Sequence, residues 1–64
     1  MKNIVRKLRL ERELTQQGLG ALVGTSRQAI IAIENEKFDP SLPLAMKLSR
    51  IFKRPIEDIF FIEE

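Results

Sequence analysis

The chain has 64 residues, enough for one small domain, and it contains neither cysteine nor histidine. Disulfides, thiolate sites and histidine-based catalytic or metal sites are excluded, and no phosphate-binding glycine loop or metal-ligand spacing replaces them. We therefore expect neither an enzyme nor a metal or cofactor.

The net charge of +2 is unevenly distributed along the chain. Residues 1–54 carry all 11 basic side chains and five acidic ones, whereas residues 55–64 carry four acidic side chains and no basic one. A basic body favours a polyanionic partner, although acidic residues at a chain end also serve solubility alone. No apolar run approaches the roughly 18 residues of a membrane span, and the first ten residues lack a signal peptide's apolar segment. The expected location is therefore the cytoplasm, with no membrane partner.

Apolar residues recur at helical spacing along almost the whole chain, and no segment alternates as a strand does. The sequence predicts an all-α fold of five helices in a single domain over residues 1–64. Helix 1 spans about residues 3–13, and helix 2 runs from the cap Thr15 to Val23. Helix 3 spans about residues 26–35. Helix 4 runs from the cap Ser41 to a stop at residues 53–55, and helix 5 spans residues 56 to about 60.

The second and third helices are joined by a very short turn. Gly24 ends helix 2 as a left-handed residue, and Thr25-Ser26 offers the next N-cap at once. Two helices joined so tightly cross steeply, which is the arrangement of a helix-turn-helix. Gly20 has the small size needed where another helix crosses closely.

Helix 3 is expected to turn Ile30 and Ile33 inward. In a helix-turn-helix the second helix enters the major groove of double-stranded DNA, so its outward residues are candidate base contacts. Arginine can bond guanine, glutamine can bond adenine, and apolar side chains can contact the thymine methyl. An ordinary solvated helix start is the alternative interpretation. The candidates are Arg27, Gln28, Ile31 and Ala32.

Polar groups around helix 3 are candidates for phosphate contacts. Helix N-termini attract anions because their amides are unpaired and the helix dipole is favourable there. The candidates are Gln16, Thr25, Asn35, Lys37 and Ser41.

Four segments in order, "LRLERELTQ", "LVGTSRQ", "IAIENEKFDPSL" and "RPIEDIF", resemble Cro/cI-type helix-turn-helix regulators of the xenobiotic-response-element class. The resemblance implies a lambda-repressor-like five-helix bundle that binds an operator as a homodimer. It also implies a buried ion pair between Arg9 and Glu34, joining helix 1 to the end of helix 3. Glu36 stands where such proteins usually have glycine, so Asn35 is expected to take the left-handed conformation instead.

More apolar side chains follow residue 43 than a small bundle easily buries. They predict a dimer interface through helices 4 and 5 and the C-terminal segment, although the same residues could complete a monomeric core. A two-fold dimer places its recognition helices about 34 Å apart and favours a palindromic operator. We expect a repressor; an antitoxin or a protein-interaction module are the alternatives, and no small-molecule ligand is evident. The interface candidates are Leu44, Ile51, Phe60, Phe61 and Ile62.

Overall fold

The computed structural model describes residues 1–63 as five helices and a two-stranded sheet. In chain order they are β1 (Lys2–Asn3), α1 (Val5–Glu11), α2 (Gln16–Val23), α3 (Arg27–Glu34), α4 (Leu42–Phe52), α5 (Ile56–Ile59) and β2 (Phe60–Phe61).

The all-α prediction is wrong in one respect, because the two ends of the chain pair as antiparallel strands. Lys2 lies opposite Phe61, and Asn3 lies opposite Phe60. Helix α1 therefore starts at Val5 rather than near residue 3, and α5 ends at residue 59. A strand of two residues is too short to show the alternation by which strands are predicted.

Three helices begin at the predicted hydroxyl N-caps. Each side-chain oxygen accepts a hydrogen bond from an amide of the first turn, which would otherwise be unpaired. Gly18 N donates to Thr15 Oγ1 (2.9 Å), Ala29 N donates to Ser26 Oγ (3.1 Å), and Leu44 N donates to Ser41 Oγ (3.3 Å).

The end of α3 differs from the sequence expectation. Asn35 has φ −85°, and Glu36 takes the left-handed conformation with φ 62°. Glu36 N donates to Ile33 O (3.0 Å), and Lys37 N donates to Ala32 O (3.0 Å). This is the Schellman pattern, in which the residue one past the cap is left-handed and is usually glycine. The reversal therefore falls on a residue with a Cβ, at a steric cost that glycine avoids.

Replacing Glu36 by glycine is expected to stabilise the protein. Glu36→Gly should raise the free energy of unfolding by about 1 kcal/mol, because it removes the left-handed penalty. Urea denaturation measures the change. Asn35→Gly is the matched control: with φ −85° it relieves no strain and should destabilise. Equal effects of the two substitutions would contradict the interpretation.

One hydrophobic core holds the helices together. Ile30 and Ile33 are fully buried, as predicted for the inner face of α3. The remaining apolar core residues are Val5, Leu8, Leu19, Val23, Ala45, Leu48, Phe52, Ile59 and Phe60. Among the described residues, no helix combines the length and apolar character needed to cross a membrane.

Candidate nucleic-acid interface

The corner between α2 and α3 consists of three residues and is closely packed. Gly24 has φ 73°, and Thr25 N donates to Gly20 O (2.8 Å). A Cβ at Gly20 would lie 2.8 Å from Thr25 O, closer than real Cβ atoms come to backbone oxygen. The absence of a side chain at Gly20 therefore lets the start of α3 lie against the middle of α2.

This corner projects the first turn of α3 away from the core. Arg27 and Gln28 are both exposed. Ile31 and Ala32 are half-buried, so they face outward less fully than the helical spacing predicts. Helix α3 packs against both α1 and α2. The two polar candidates are thus the most accessible.

The opposite end of α3 is anchored by an ion pair between Arg9 and Glu34. Arg9 Nε donates to Glu34 Oε2 (2.6 Å), and Arg9 Nη2 donates to Glu34 Oε1 (3.2 Å). Arg9 is only 8% exposed, and the side chain of Glu34 is 3% exposed. A bidentate pair in this setting has a defined geometry. It fixes the end of α3 relative to α1.

Two further hydrogen bonds extend this anchor to the start of α2. Arg9 Nη1 donates to Leu14 O (2.9 Å), and Gln16 Nε2 donates to Glu34 Oε1 (3.2 Å). Gln16, a phosphate candidate, is therefore held in place by the ion pair, with its second amide hydrogen still available.

Gln16 and Asn35 meet at a polar surface recess of about 440 Å³. Arg6, Arg9, Thr15 and Glu34 form the rest of its lining. The structure thus brings together two phosphate candidates that the sequence separates by almost 20 residues, and it adds Arg6, which the sequence analysis did not single out.

The other phosphate candidates lie along the remaining edge of α3 and beyond it. Thr25 is half-buried in the corner, and Lys37 is exposed just past the helix. Ser41 is exposed at the start of α4, where its hydroxyl caps Leu44 N. Because Pro43 has no N–H, the first turn of α4 offers fewer free amides than an ordinary helix start.

The basic side chains of this face are not neutralised by nearby carboxylates. Within residues 1–63, the ion pairs are Met1 ammonium to Asp39 (3.0 Å), Lys2 to Glu63 (3.2 Å) and Arg9 to Glu34. Arg6, Arg27 and Lys37 belong to none of them, so their charges remain available to an anion.

The candidate dimer residues fall into two groups. Phe60 is 8% exposed and belongs to the core of the single chain, while Leu44 and Ile51 are half-buried against it. Phe61 and Ile62 are 40% and 80% exposed. The sequence could not separate these groups, because the burial of Phe60 depends on the pairing of β2 with β1.

Two helices joined by so tight a corner, with the start of the second exposed, form the arrangement of a helix-turn-helix protein. The sequence profile of the helix-turn-helix family matches residues 5–59. The chain therefore belongs to the helix-turn-helix family, a family of DNA-binding proteins rather than enzymes, which confirms the resemblance seen in the sequence.

Several relatives align with the whole chain. It is 50% identical over 64 residues to an uncharacterised HTH-type transcriptional regulator of Methanocaldococcus jannaschii, covering 97% of that protein. It is 44% identical over 64 residues to the uncharacterised HTH-type transcriptional regulator YgzD of Bacillus subtilis, again covering 97% of the relative. A third such regulator, from Archaeoglobus fulgidus, is 39% identical over 64 residues, and 90% of it is covered.

Proposed function

We propose that the protein is a sequence-specific transcription regulator that binds a palindromic operator as a homodimer and represses by occupancy. The observation that carries the proposal is the exposure of Arg27 and Gln28 at the start of an anchored helix. The transcriptional regulators with which the chain aligns over its full length support it. A dimer bound over a promoter excludes polymerase without any separate effector domain.

Recognition of the DNA bases is assigned to the first half of α3. Arg27 has the donor geometry for guanine, and Gln28 has the donor and acceptor for adenine. Ile31 and Ala32 are assigned to thymine methyl groups, a role that the partly exposed apolar surface of each can fill.

Phosphate contacts on both sides of the groove position the helix. Gln16 and Asn35 act from the recess, Thr25 from the corner, Lys37 from the loop and Ser41 from the start of α4. Such contacts supply affinity that does not depend on sequence, and they fix the register on the duplex.

The proposed dimer contact centres on Phe61 and Ile62. Phe61 at the end of β2 and Ile62 just after it are exposed. Leu44 and Ile51 contribute only their outer surfaces, and Phe60 stays within its own chain. A two-fold dimer that binds two half-sites of one operator sets its two recognition helices about one turn of DNA apart.

Selection of bound sites from random DNA at fixed salt tests the whole proposal. The expected result is an enriched palindrome whose half-sites are about 10 base pairs apart. An enriched single half-site would exclude the dimer. No enrichment above random DNA would exclude sequence-specific regulation and favour a protein-interaction role for the same surface.

Substitutions are expected to separate base contacts from phosphate contacts. Arg27→Ala or Gln28→Ala should weaken binding to the selected operator by about 1–3 kcal/mol and relax preference at one position. Lys37→Ala should weaken binding to all DNA and reduce the salt slope by about one unit. Fluorescence anisotropy over a salt series measures both effects. Equal losses on every sequence for all three variants would contradict the assignment of the base contacts.

A further inference from the structure

Asn3 links two distant parts of the chain through its side-chain amide. Asn3 Nδ2 donates to Ile33 O (2.8 Å) in the last turn of α3 and to Met1 O (3.2 Å). Asn3 Oδ1 accepts from Val5 N (3.1 Å) at the start of α1. The same side chain therefore satisfies the first turn of one helix and the last turn of another.

The carbonyl that Asn3 contacts also determines how the chain leaves α3. Ile33 O accepts from Glu36 N (3.0 Å), the amide of the left-handed residue that ends the helix. Asn35 and Lys37, two proposed phosphate contacts, flank that residue. The bond from Asn3 thus acts at the point where the recognition helix ends.

The backbone of the same segment is held by the C-terminal strand. Asn3 lies opposite Phe60 in the sheet, and Ile4 N donates to Ile59 O (3.0 Å). The neighbouring residue Phe61 is exposed and belongs to the proposed dimer contact. Asn3 therefore lies between the end of the recognition helix and the segment proposed to bind the second subunit.

We propose that Asn3 is a positioning residue for DNA recognition: its carboxamide sets the angle of α3 by tying the end of the helix to the β1–β2 sheet. This inference rests on the proposed function and assigns no DNA contact to Asn3 itself. The eight residues of α3 form a lever of about 12 Å, so a tilt of about 5° at its end moves the first turn by about 1 Å. A displacement of that size is enough to break a bidentate bond to a base.

Two substitutions remove the amide donor while retaining an acceptor for Val5 N. Asn3→Asp keeps the oxygen but loses Nδ2, and Asn3→Ser keeps a shorter hydroxyl that does not extend to Ile33 O. Lys7→Gln is the charge control, because Lys7 is exposed on α1, belongs to none of the ion pairs within residues 1–63 and, like Asn3→Asp, its substitution lowers the net charge by one. Affinities for the selected operator and for random DNA are measured at a temperature at which circular dichroism shows each variant folded.

Both Asn3 variants are expected to lose about tenfold in operator affinity, the equivalent of one weakened base contact. The affinity for random DNA should stay within about twofold of that of the charge control for Asn3→Asp and of wild type for Asn3→Ser, because non-specific binding depends on phosphate contacts alone. A purely structural role would not change the ratio of the two affinities. An unchanged ratio in both Asn3 variants would therefore overturn the inference.

Hydrogen exchange separates failure of this inference from failure of the proposed function. If the wild-type protein itself shows no operator preference, the proposed function is wrong, and the role of Asn3 is judged in the free protein. The Glu36 and Lys37 amides should then exchange about tenfold faster in both Asn3 variants than in wild type and in Lys7→Gln, because the end of α3 opens more often. Unchanged exchange at these amides would overturn the link.

Discussion

Arg9→Ala is expected to cost about 3–5 kcal/mol of folding free energy, because it leaves the Glu34 carboxylate buried without its partner. The side chain of Glu34 is only 3% exposed, and Gln16 Nε2 (3.2 Å) is the side-chain donor that remains to its carboxylate. Leu14 O loses its donor at the same time. A loss of this size is a large fraction of the stability of so small a domain. Thermal and urea unfolding of wild type and variant measure it.

The double variant Arg9→Met/Glu34→Leu tests whether the pair serves orientation rather than stability. Replacing both charges by apolar side chains should restore part of the stability, since the desolvation of the pair offsets much of its attraction. The recovery is incomplete because Leu14 O and Gln16 Nε2 still lose their partners. Operator affinity should nevertheless remain below that of wild type, because the bidentate geometry that fixes the end of α3 is gone. A double variant with wild-type affinity would show that the pair does not orient the recognition helix.

Gly20→Val is expected to destabilise the protein by about 3 kcal/mol, at the upper end of overpacking effects. Any Cβ at this position meets Thr25 O at 2.8 Å and two Ser26 backbone atoms at 3.3 Å. Because these neighbours are backbone atoms of the corner, they can yield only if α3 shifts relative to α2. Operator affinity should therefore fall even at temperatures at which the variant is folded. Urea denaturation and DNA binding together measure the two effects.

Ala21→Val is the matched control for Gly20→Val. Ala21 is exposed on the same helix, so the added methyl groups meet solvent. The expected cost is only the lower helix propensity of valine, about 0.5 kcal/mol. Similar losses for the two substitutions would mean that the effect comes from the helix propensity of valine and not from contact between the new side chain and the backbone of the corner.

Those parts of the candidate site could be predicted whose position depends on residues close to them in the chain. Arg27 and Gln28 follow an N-cap within two residues, and their exposure follows from the burial of Ile30 and Ile33 on the other face. The pairing of Arg9 with Glu34 came from resemblance, because nothing local to either residue specifies a partner 25 positions away. The half-burial of Ile31 was not predictable, since the exposure of a side chain depends on how the helices pack in the folded bundle.

The sequence by itself determined the five helices, the N-caps of three of them and the tight corner at Gly24, because each depends on residues within one or two helical turns. Only the tertiary structure decided which ends of the chain pair as strands and how Asn3 contacts the end of α3. It also decided that Phe60 belongs to the core. These features join residues that are far apart in the chain, so they exist only once the bundle has brought the partners together.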